Sequence, residues 1–245
     1  MSPVTASPSF DPRTVPVHRV DHDLPAVPLE HLQPQALRSR FDAPPVWSPE
    51  VRREPRFSDR APARAAVLVP LVLHSDPGLS PRVLLTERAG HLSTHSGQIA
   101  FPGGKVDACD ASIEAAALRE AHEEIGLDPR HVQVIGELPV YITGTAFEVT
   151  PVVALVEPGF SLAPNPGEVA DVFEVPLDFL MNPAHHRWHA FDWQGQTRHW
   201  FSMPYVEHRA DGRGQLLPIE RFIWGATAGM LRNLYRFLVT STTRS

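Results

Sequence analysis

The chain has 245 residues, of which 42% are hydrophobic, so it can bury a substantial core, and wholesale disorder is excluded. Its formal net charge of -6 gives no basic footprint for nucleic acid, and no apolar run reaches the length that spans a bilayer. The single cysteine, Cys109, excludes a disulfide scaffold and multi-cysteine zinc modules, so a soluble cytoplasmic protein is expected.

The first 60 residues form a proline-rich segment that holds eleven of the chain's 26 prolines. Proline fixes its own φ angle and disfavours the helical conformation of the residue before it, so little regular structure is expected. A short amphipathic helix near Pro28–Arg40 is the exception. Residues 1–60 are therefore predicted to be an extension that is partly ordered at most, an arm or a strap on the core, and residues 61–245 to be the main domain.

From about residue 63 onward, short β-rich runs alternate with two helical segments. Ser112–Ile125 is alanine-rich, begins at an Asp or Ser cap and is followed by Gly126, which predicts a helix. A second helix is predicted over about Phe222–Val239 from its apolar stripe. Strands are predicted at Ala65–His74, Arg82–Arg88, Gln98–Phe101, His131–Leu138, Phe147–Val156, Phe173–Val175, Trp188–Trp193 and His199–Met203. This order predicts an α/β fold with a mixed sheet between helices.

Three glutamates of the first predicted helix share one face. Glu120, Glu123 and Glu124 are spaced i, i+3 and i+4, and Arg119 alone cannot neutralise them. A divalent cation can, and oxygen ligands select Mg²⁺ or Mn²⁺, which share their coordination with substrate phosphates. The alternative is a solvated acidic helix face, which is the commoner fate of such charge runs.

A glycine pair before the helix favours the metal site. Gly103 and Gly104 allow a tight backbone turn after a strand, where a carbonyl could complete a metal shell. Lys105, the only lysine in the chain, places a cation where phosphate would lie.

The segment from Gly104 to Leu127 resembles the Nudix box, G-x5-E-x7-R-E-U-x-E-E-x-G-U, in which U is apolar. Arg119–Leu127 agrees at every fixed position of the second half. The first half departs, because Asp110 stands in place of Glu and eight residues separate it from Arg119. The resemblance therefore leaves the role of Asp110 open.

This resemblance implies a Nudix α/β/α sandwich and metal-dependent hydrolysis of a diphosphate. By analogy with the family, the three box glutamates hold the metal. Gly103 is the candidate for the carbonyl ligand, and Arg119 is expected to orient the glutamates. The general base of the family is a box glutamate or an acid on a later loop. Glu168 is the loop candidate here, with Glu148 behind it.

A second stretch, Leu84–Ala89 followed by Gly97 and Phe101–Gly104, is similar to the signature of coenzyme A pyrophosphatases, L-L-T-x-R-(S/A)-x3-R-x3-G-x3-F-P-G-G. One fixed position differs, since Ser93 replaces the second arginine. His91 or His95 could partly compensate for that charge. The candidate substrate-binding residues are Arg88, Ser93, His95, Gly103, Gly104 and Lys105.

These resemblances imply hydrolysis of coenzyme A, or an acyl-CoA, to 3′,5′-ADP and a 4′-phosphopantetheine product. Two alternatives stay open: another nucleoside diphosphate derivative such as ADP-ribose or a dinucleotide, which the loss of arginine at Ser93 favours, and a Nudix module that binds a nucleotide without cleaving it. The expected partner is a small molecule, without nucleic acid or membrane, and a homodimer is the default assembly.

Overall fold

The computed structural model describes residues 11–56, 60–76, 78–90, 97–193 and 196–241. Its helices are α1 (Pro34–Asp42), α2 (Ile113–Ile125), α3 (Leu177–Leu180) and α4 (Gly225–Val239), with short 3-10 turns at Pro12–Thr14, Leu29–Leu32, Pro129–His131 and Pro183–His185. Its strands are β1 (Val17–Val20), β2 (Ala63–Val72), β3 (Arg82–Arg88), β4 (Ile99–Ala100), β5 (Gly103–Lys105), β6 (Val132–Glu137), β7 (Tyr141–Ile142), β8 (Phe147–Val156), β9 (Val169–Pro176), β10 (Arg187–Trp193), β11 (Gln196–Ala210) and β12 (Leu216–Trp224).

The larger sheet has the strand order β4-β3-β2-β8-β6, and β5, β7 and β9 pair with β2, β8 and β3 respectively. The long β2 and β8 strands run parallel, whereas their other pairings are antiparallel, so the sheet is mixed. A second, antiparallel sheet has the order β1-β10-β11-β12.

The larger sheet lies between two layers of helices because alternate side chains of its strands point to opposite faces. On β2, Ala66 and Leu68 pack with Ala117 and Ile125 of α2, whereas Val69 belongs to the core cluster that contains α4. The smaller sheet joins that second layer. This arrangement confirms the α/β class predicted from the sequence. Within the described ranges, no helix is long and apolar enough to cross a bilayer.

Several predicted boundaries are wrong at the C-terminal end. Phe222–Trp224, predicted to begin the last helix, ends β12, and His199–Met203 is only the middle of the 15-residue β11. Apolar residues run without a break from Phe222 into α4, so periodicity alone does not separate strand from helix. The boundary is set by Gly225, whose φ angle of 61° turns the backbone between them. Strands β1, β5, β7 and β12 were not predicted.

Residues 11–56 lie against the layer that contains α4. Leu32 and Leu37 are fully buried in its core, and β1 pairs with β10 of the smaller sheet. The helix predicted near Pro28–Arg40 is found as α1 together with the 3-10 turn before it. The division of the chain at residue 60 stays a prediction.

A buried arginine of α4 connects this N-terminal segment to the core. The Arg232 side chain is 2% exposed and forms ion pairs with Asp21 and Glu50, each at 2.8 Å. It also contacts Nδ1 of His186 at 3.0 Å, while Nε2 of His186 lies 2.7 Å from the carbonyl oxygen of Leu180. Since a guanidinium only donates and a carbonyl only accepts, His186 is neutral and carries its proton on Nε2.

Lowering the pH from 7.5 to 5 is expected to reduce the free energy of unfolding by about 2 kcal/mol through His186. Burial lowers the pKa of His186 from 6.5 to about 4, so between these values the unfolded chain binds a proton that the folded chain excludes. This contribution is complete above pH 6.5 and is lost as the pH falls towards 4. Urea unfolding across this range should give a steeper pH dependence for the wild type than for His186→Gln, and parallel curves would contradict the assignment.

Candidate active site

Helix α2 carries the box glutamates and is fixed at both ends. Oγ of Ser112 accepts a hydrogen bond from the Ala115 N–H, and Gly126, with a φ angle of 71°, ends the helix. Buried residues of one helix face pack on the sheet, among them Ala117, Ala121 and Ile125. The remaining surface of the helix therefore directs Glu120 and Glu123 towards β5 and solvent.

Arg119 joins two of these glutamates to the loop that follows β5. Its Nη1 donates to Oε1 of Glu120 and Oε2 of Glu123, both at 3.0 Å. Its Nε and Nη2 bind the two carboxylate oxygens of Asp110 at 2.8 and 2.9 Å, and Nη2 also donates to the carbonyl of Lys105 at 3.1 Å. One planar guanidinium thus sets the relative positions of three carboxylates.

Asp110, whose role the sequence left open, is the bidentate partner of Arg119. Its side chain is 4% exposed, and Oδ2 also accepts the Asp107 N–H at 2.8 Å. The hydrogen bond from Arg119 holds the pKa of Asp110 at about 2, well below its usual range. Asp110 therefore stays charged and anchors Arg119 rather than facing a ligand.

Glu124 is the buried member of the cluster. Its Oε2 accepts the Gly103 N–H at 3.1 Å, and Oε1 lies 3.9 Å from Nη1 of Arg88. Burial raises the pKa of Glu124 to about 7, and the negative charges of Glu168 and Glu120 act in the same direction. Burial also raises the pKa of Glu120. Glu120 and Glu124 therefore lie in a pocket where nearby cations and donors only partly offset the cost of burying their negative charge.

The glycine pair brings β5 close to both β2 and α2. A Cβ atom on Gly103 would lie 2.4 Å from the carbonyl oxygen of Ala66, and one on Gly104 would lie 2.4 Å from Oε2 of Glu120. Gly103 must be glycine because the atom that a Cβ would meet is a backbone carbonyl oxygen of a paired strand, which cannot move aside. At Gly104 the neighbour is the glutamate itself, so the missing side chain leaves room for that carboxylate.

The donor chemistry of this pocket fits a hard divalent cation. Glu120, Glu123 and Glu124 offer only oxygen ligands, which hard divalent cations prefer. In the part of the chain that the structure describes, no three His, Cys, Asp or Glu side chains already surround a common point. Arg119 instead occupies oxygens of Glu120 and Glu123, so a metal has to compete with it for them. Gly103 contributes its N–H to Glu124, and its carbonyl as a ligand stays a prediction.

Glu168 lies on a loop that is bonded to both α2 and β3. The Asn165 N–H donates to the Glu124 carbonyl at 2.8 Å, and the Ala89 N–H donates to the Glu168 carbonyl at 2.8 Å. Nδ2 of Asn165 lies 3.3 Å from Oε1 of Glu168. Sequence reasoning missed Asn165, although the Asn-Pro-Gly turn that contains it was a signal for a fixed loop.

The other predicted site residues either lack contacts with the α2 glutamates or lie outside the described residues. Lys105 ends β5 with an exposed side chain, and its carbonyl binds Arg119. Glu148 lies on β8 opposite Ile142, and within the described residues no hydrogen bond or ion pair joins it to the α2 glutamates. Ser93 and His95, with His91, lie outside the described residues.

Comparison with known proteins finds that the resemblance to the Nudix family extends over most of the chain. The NUDIX domain family matches residues 62–201. A protein of Enterobacter sp. (strain 638), described as "Uncharacterized Nudix hydrolase NudL", is 44% identical over 174 residues, which cover 70% of this chain and 80% of that protein. The protein of the same description from Citrobacter koseri is 42% identical over 172 residues, with the same coverage. A solved Nudix hydrolase from M. smegmatis, RenU, is 30% identical with a TM-score of 0.38, over 49% of this chain and 72% of that structure.

Alanine substitution should separate the roles of the two glycines. Gly103→Ala is expected to lower the free energy of unfolding by about 2 kcal/mol because its Cβ would meet backbone. Gly104→Ala should cost less than about 1 kcal/mol, since only a flexible carboxylate has to move, but should weaken Mn²⁺ binding about tenfold. Urea unfolding and Mn²⁺ titration followed by electron paramagnetic resonance measure the two effects, and wild-type Mn²⁺ affinity in Gly104→Ala would refute the proposed position of Glu120.

Proposed function

The chain belongs to the NUDIX domain family, and from this premise we propose that it hydrolyses the diphosphate bond of coenzyme A or an acyl-CoA to 3′,5′-ADP and a 4′-phosphopantetheine product. One water molecule is consumed, and its oxygen ends on one of the two phosphates. Nudix hydrolases use divalent metal ions, and Mg²⁺ or Mn²⁺ is the proposed cofactor here.

Glu120, Glu123 and Glu124 are the proposed metal ligands. The bound cation would neutralise charge on the diphosphate oxygens and lower the pKa of the attacking water. Arg119 keeps Glu120 and Glu123 on one side of the helix through its hydrogen bonds to them, and Asp110 keeps Arg119 in place. Arg119 and Asp110 are therefore positioning residues.

Glu168 is the proposed general base. Its backbone is bonded to Ala89 and its loop to the end of α2, so its carboxylate is held near Glu124, and among the described residues no arginine forms an ion pair with it. A base has to be within hydrogen-bond reach of the water that it deprotonates, and the Asn165 amide orients the carboxylate for that task.

The contact between Arg88 and Glu124 is the observation that carries the substrate proposal. Arg88 belongs to the segment that resembles coenzyme A pyrophosphatases, and Glu124 belongs to the box. One residue of each pattern, 36 positions apart in the sequence, thus lies at the same carboxylate. Arg88 and Lys105, together with Ser93 and His95 of the undescribed segment, are proposed to bind the substrate phosphates.

The competing functions are hydrolysis of ADP-ribose, hydrolysis of a dinucleotide, and nucleotide binding without cleavage.

A cytoplasmic location and a homodimer are proposed on the grounds given by the sequence, and light scattering of the purified chain tests the dimer.

The purified protein is expected to release 3′,5′-ADP from CoA in the presence of Mg²⁺ or Mn²⁺ faster than it cleaves ADP-ribose or a diadenosine polyphosphate, with products resolved by mass spectrometry. Glu120→Gln should lower turnover by at least about 100-fold because a charged ligand is lost. Glu114→Gln, on an exposed position of the first turn of the same helix, is the matched control and should keep wild-type turnover.

Each other outcome rejects a defined part of the proposal. Preference for ADP-ribose would reject the substrate and keep the chemistry. Turnover that survives in Glu120→Gln would reject the metal site, and the absence of turnover on all substrates would favour the binding module.

A further inference from the structure

A second concave site lies on the opposite side of the larger sheet from α2. Its volume is about 540 Å³, a size common for small-molecule sites. The segment Pro49–Pro55 forms one wall, strands β10 and β11 form the other, and Tyr141 lies at its floor. None of the residues assigned to catalysis above lines it, and Pro49–Pro55 precedes the part of the chain that the NUDIX family matches.

This pocket is at the same end of the sheet as the catalytic site. Lys105 pairs with Ala65, Ala65 with Val149, and Val149 with Tyr141, so these residues form one row across four strands. With strands about 4.8 Å apart, the row places Tyr141 roughly 14 Å from Lys105. The two sites approach each other at the β3–β4 edge, where a Cβ atom on Gly225 would lie 3.6 Å from Nε2 of Gln98 and the Gln98 carbonyl accepts the Arg88 N–H at 3.0 Å. An extended ligand that occupies both sites would pass around this edge.

In the wall formed by Pro49–Pro55, the acidic side chains have partners, whereas two arginine side chains have none among the described residues. Glu50 is bonded to Arg232, and Glu54 accepts hydrogen bonds from the Tyr141 hydroxyl at 3.0 Å and the Gly144 N–H at 2.9 Å. Arg52 and Arg53 are exposed, and neither guanidinium forms an ion pair or side-chain hydrogen bond with any described residue. Their backbone is nevertheless fixed, because Ile142 bonds to residues on both sides of Arg53.

Aromatic rings and a helix end complete the pocket. Trp188, His199 and Phe201 project from one face of the β10–β11 pair, and the rings of Trp188 and His199 stack at 5.1 Å with an interplanar angle of 20°. Helix α4 begins at Gly225 in the pocket wall, and the indole of its N-cap residue, Trp224, supplies no acceptor to the first N–H groups. The positive end of the helix dipole adds to the two arginines.

We propose that this pocket binds the nucleotide end of the substrate, with the base against the Trp188–His199 wall and a phosphate that is not part of the diphosphate on Arg52 and Arg53. The inference rests on the proposed function, in which the substrate carries a 3′-phosphate. In this proposal the 3′-phosphate is recognised by the N-terminal segment, which precedes the residues that the NUDIX family matches. Planar anionic ligands suit aromatic and guanidinium surfaces of this kind.

Isothermal titration calorimetry of the full chain without divalent metal tests the pocket independently of catalysis. Adenosine 3′,5′-bisphosphate is expected to bind the wild type, and Arg52→Gln/Arg53→Gln should weaken it about 10- to 100-fold, since two charge-assisted contacts are lost. AMP, which lacks the 3′-phosphate, should change less than threefold in the same variant. Arg213→Gln, at an exposed turn of the β11–β12 hairpin, is the matched control and should bind both nucleotides as the wild type does.

A variant of the aromatic wall completes the design. His199→Ala should weaken both nucleotides to the same extent, because it removes ring surface rather than charge. Equal losses for the two nucleotides in the double arginine variant, or wild-type affinity for adenosine 3′,5′-bisphosphate in it, would overturn the proposal. Since both arginines are exposed, an unchanged thermal unfolding midpoint confirms that the variant is folded.

Failure of this inference and failure of the proposed function give different results. If CoA is hydrolysed with the same KM in Arg52→Gln/Arg53→Gln as in the wild type, the pocket is wrong and the function stands. If CoA is not hydrolysed but the bisphosphate binds through the arginines, the function is wrong and the pocket remains a nucleotide site.

Discussion

The close approach of α2 to the backbone of β5 is the constraint on which the site depends. A side chain at Gly103 would collide with the backbone of Ala66 on β2, and one at Gly104 would displace the Glu120 carboxylate, so the glycine pair lets β5 lie close to both β2 and α2. The approach removes Glu124 from water and thereby raises its pKa to about 7. A folded protein maintains such a group only if cations or hydrogen-bond donors lie beside it, which explains why Arg88 and the Gly103 N–H are there.

Arginine side chains connect α2, the N-terminal segment and the strands near the site in the same way, each by binding several carboxylates. Of the 22 cationic residues only Lys105 is a lysine, and three arginines each join two or more carboxylates through their planar guanidinium groups. Arg119 does this at α2, Arg232 attaches the N-terminal segment to α4, and Arg221 on β12 binds Glu87, Asp171 and Glu207. The Arg221 cluster fixes β3 and β9 next to the positions from which Arg88 and Glu168 enter the site. The geometry of the candidate site thus depends on strands that lie outside the segment resembling the Nudix box.

The N-terminal segment is integrated with the core despite its proline content. Proline removes backbone donors, but this segment is held by side chains: Tyr235 donates to the Pro25 carbonyl, and Asn233 binds both the N–H and the carbonyl of Val51. These side-chain hydrogen bonds act together with α1 and with the pairing of β1 to β10 to fix the segment. The fixed segment includes Arg52 and Arg53, the two arginines of the proposed nucleotide pocket.

The sequence by itself determined the α/β class, the helix Ile113–Ile125 and the shared face of its glutamates, because these follow from local periodicity and spacing. It could not determine that Asp110 pairs with Arg119, that Asn165 fixes the Glu168 loop, or that Phe222–Trp224 ends a strand. Each of these depends on partners distant in the chain or on a backbone turn. Only the tertiary structure decided which carboxylate is buried and which cation faces it, since burial and charge pairing are properties of packed surfaces.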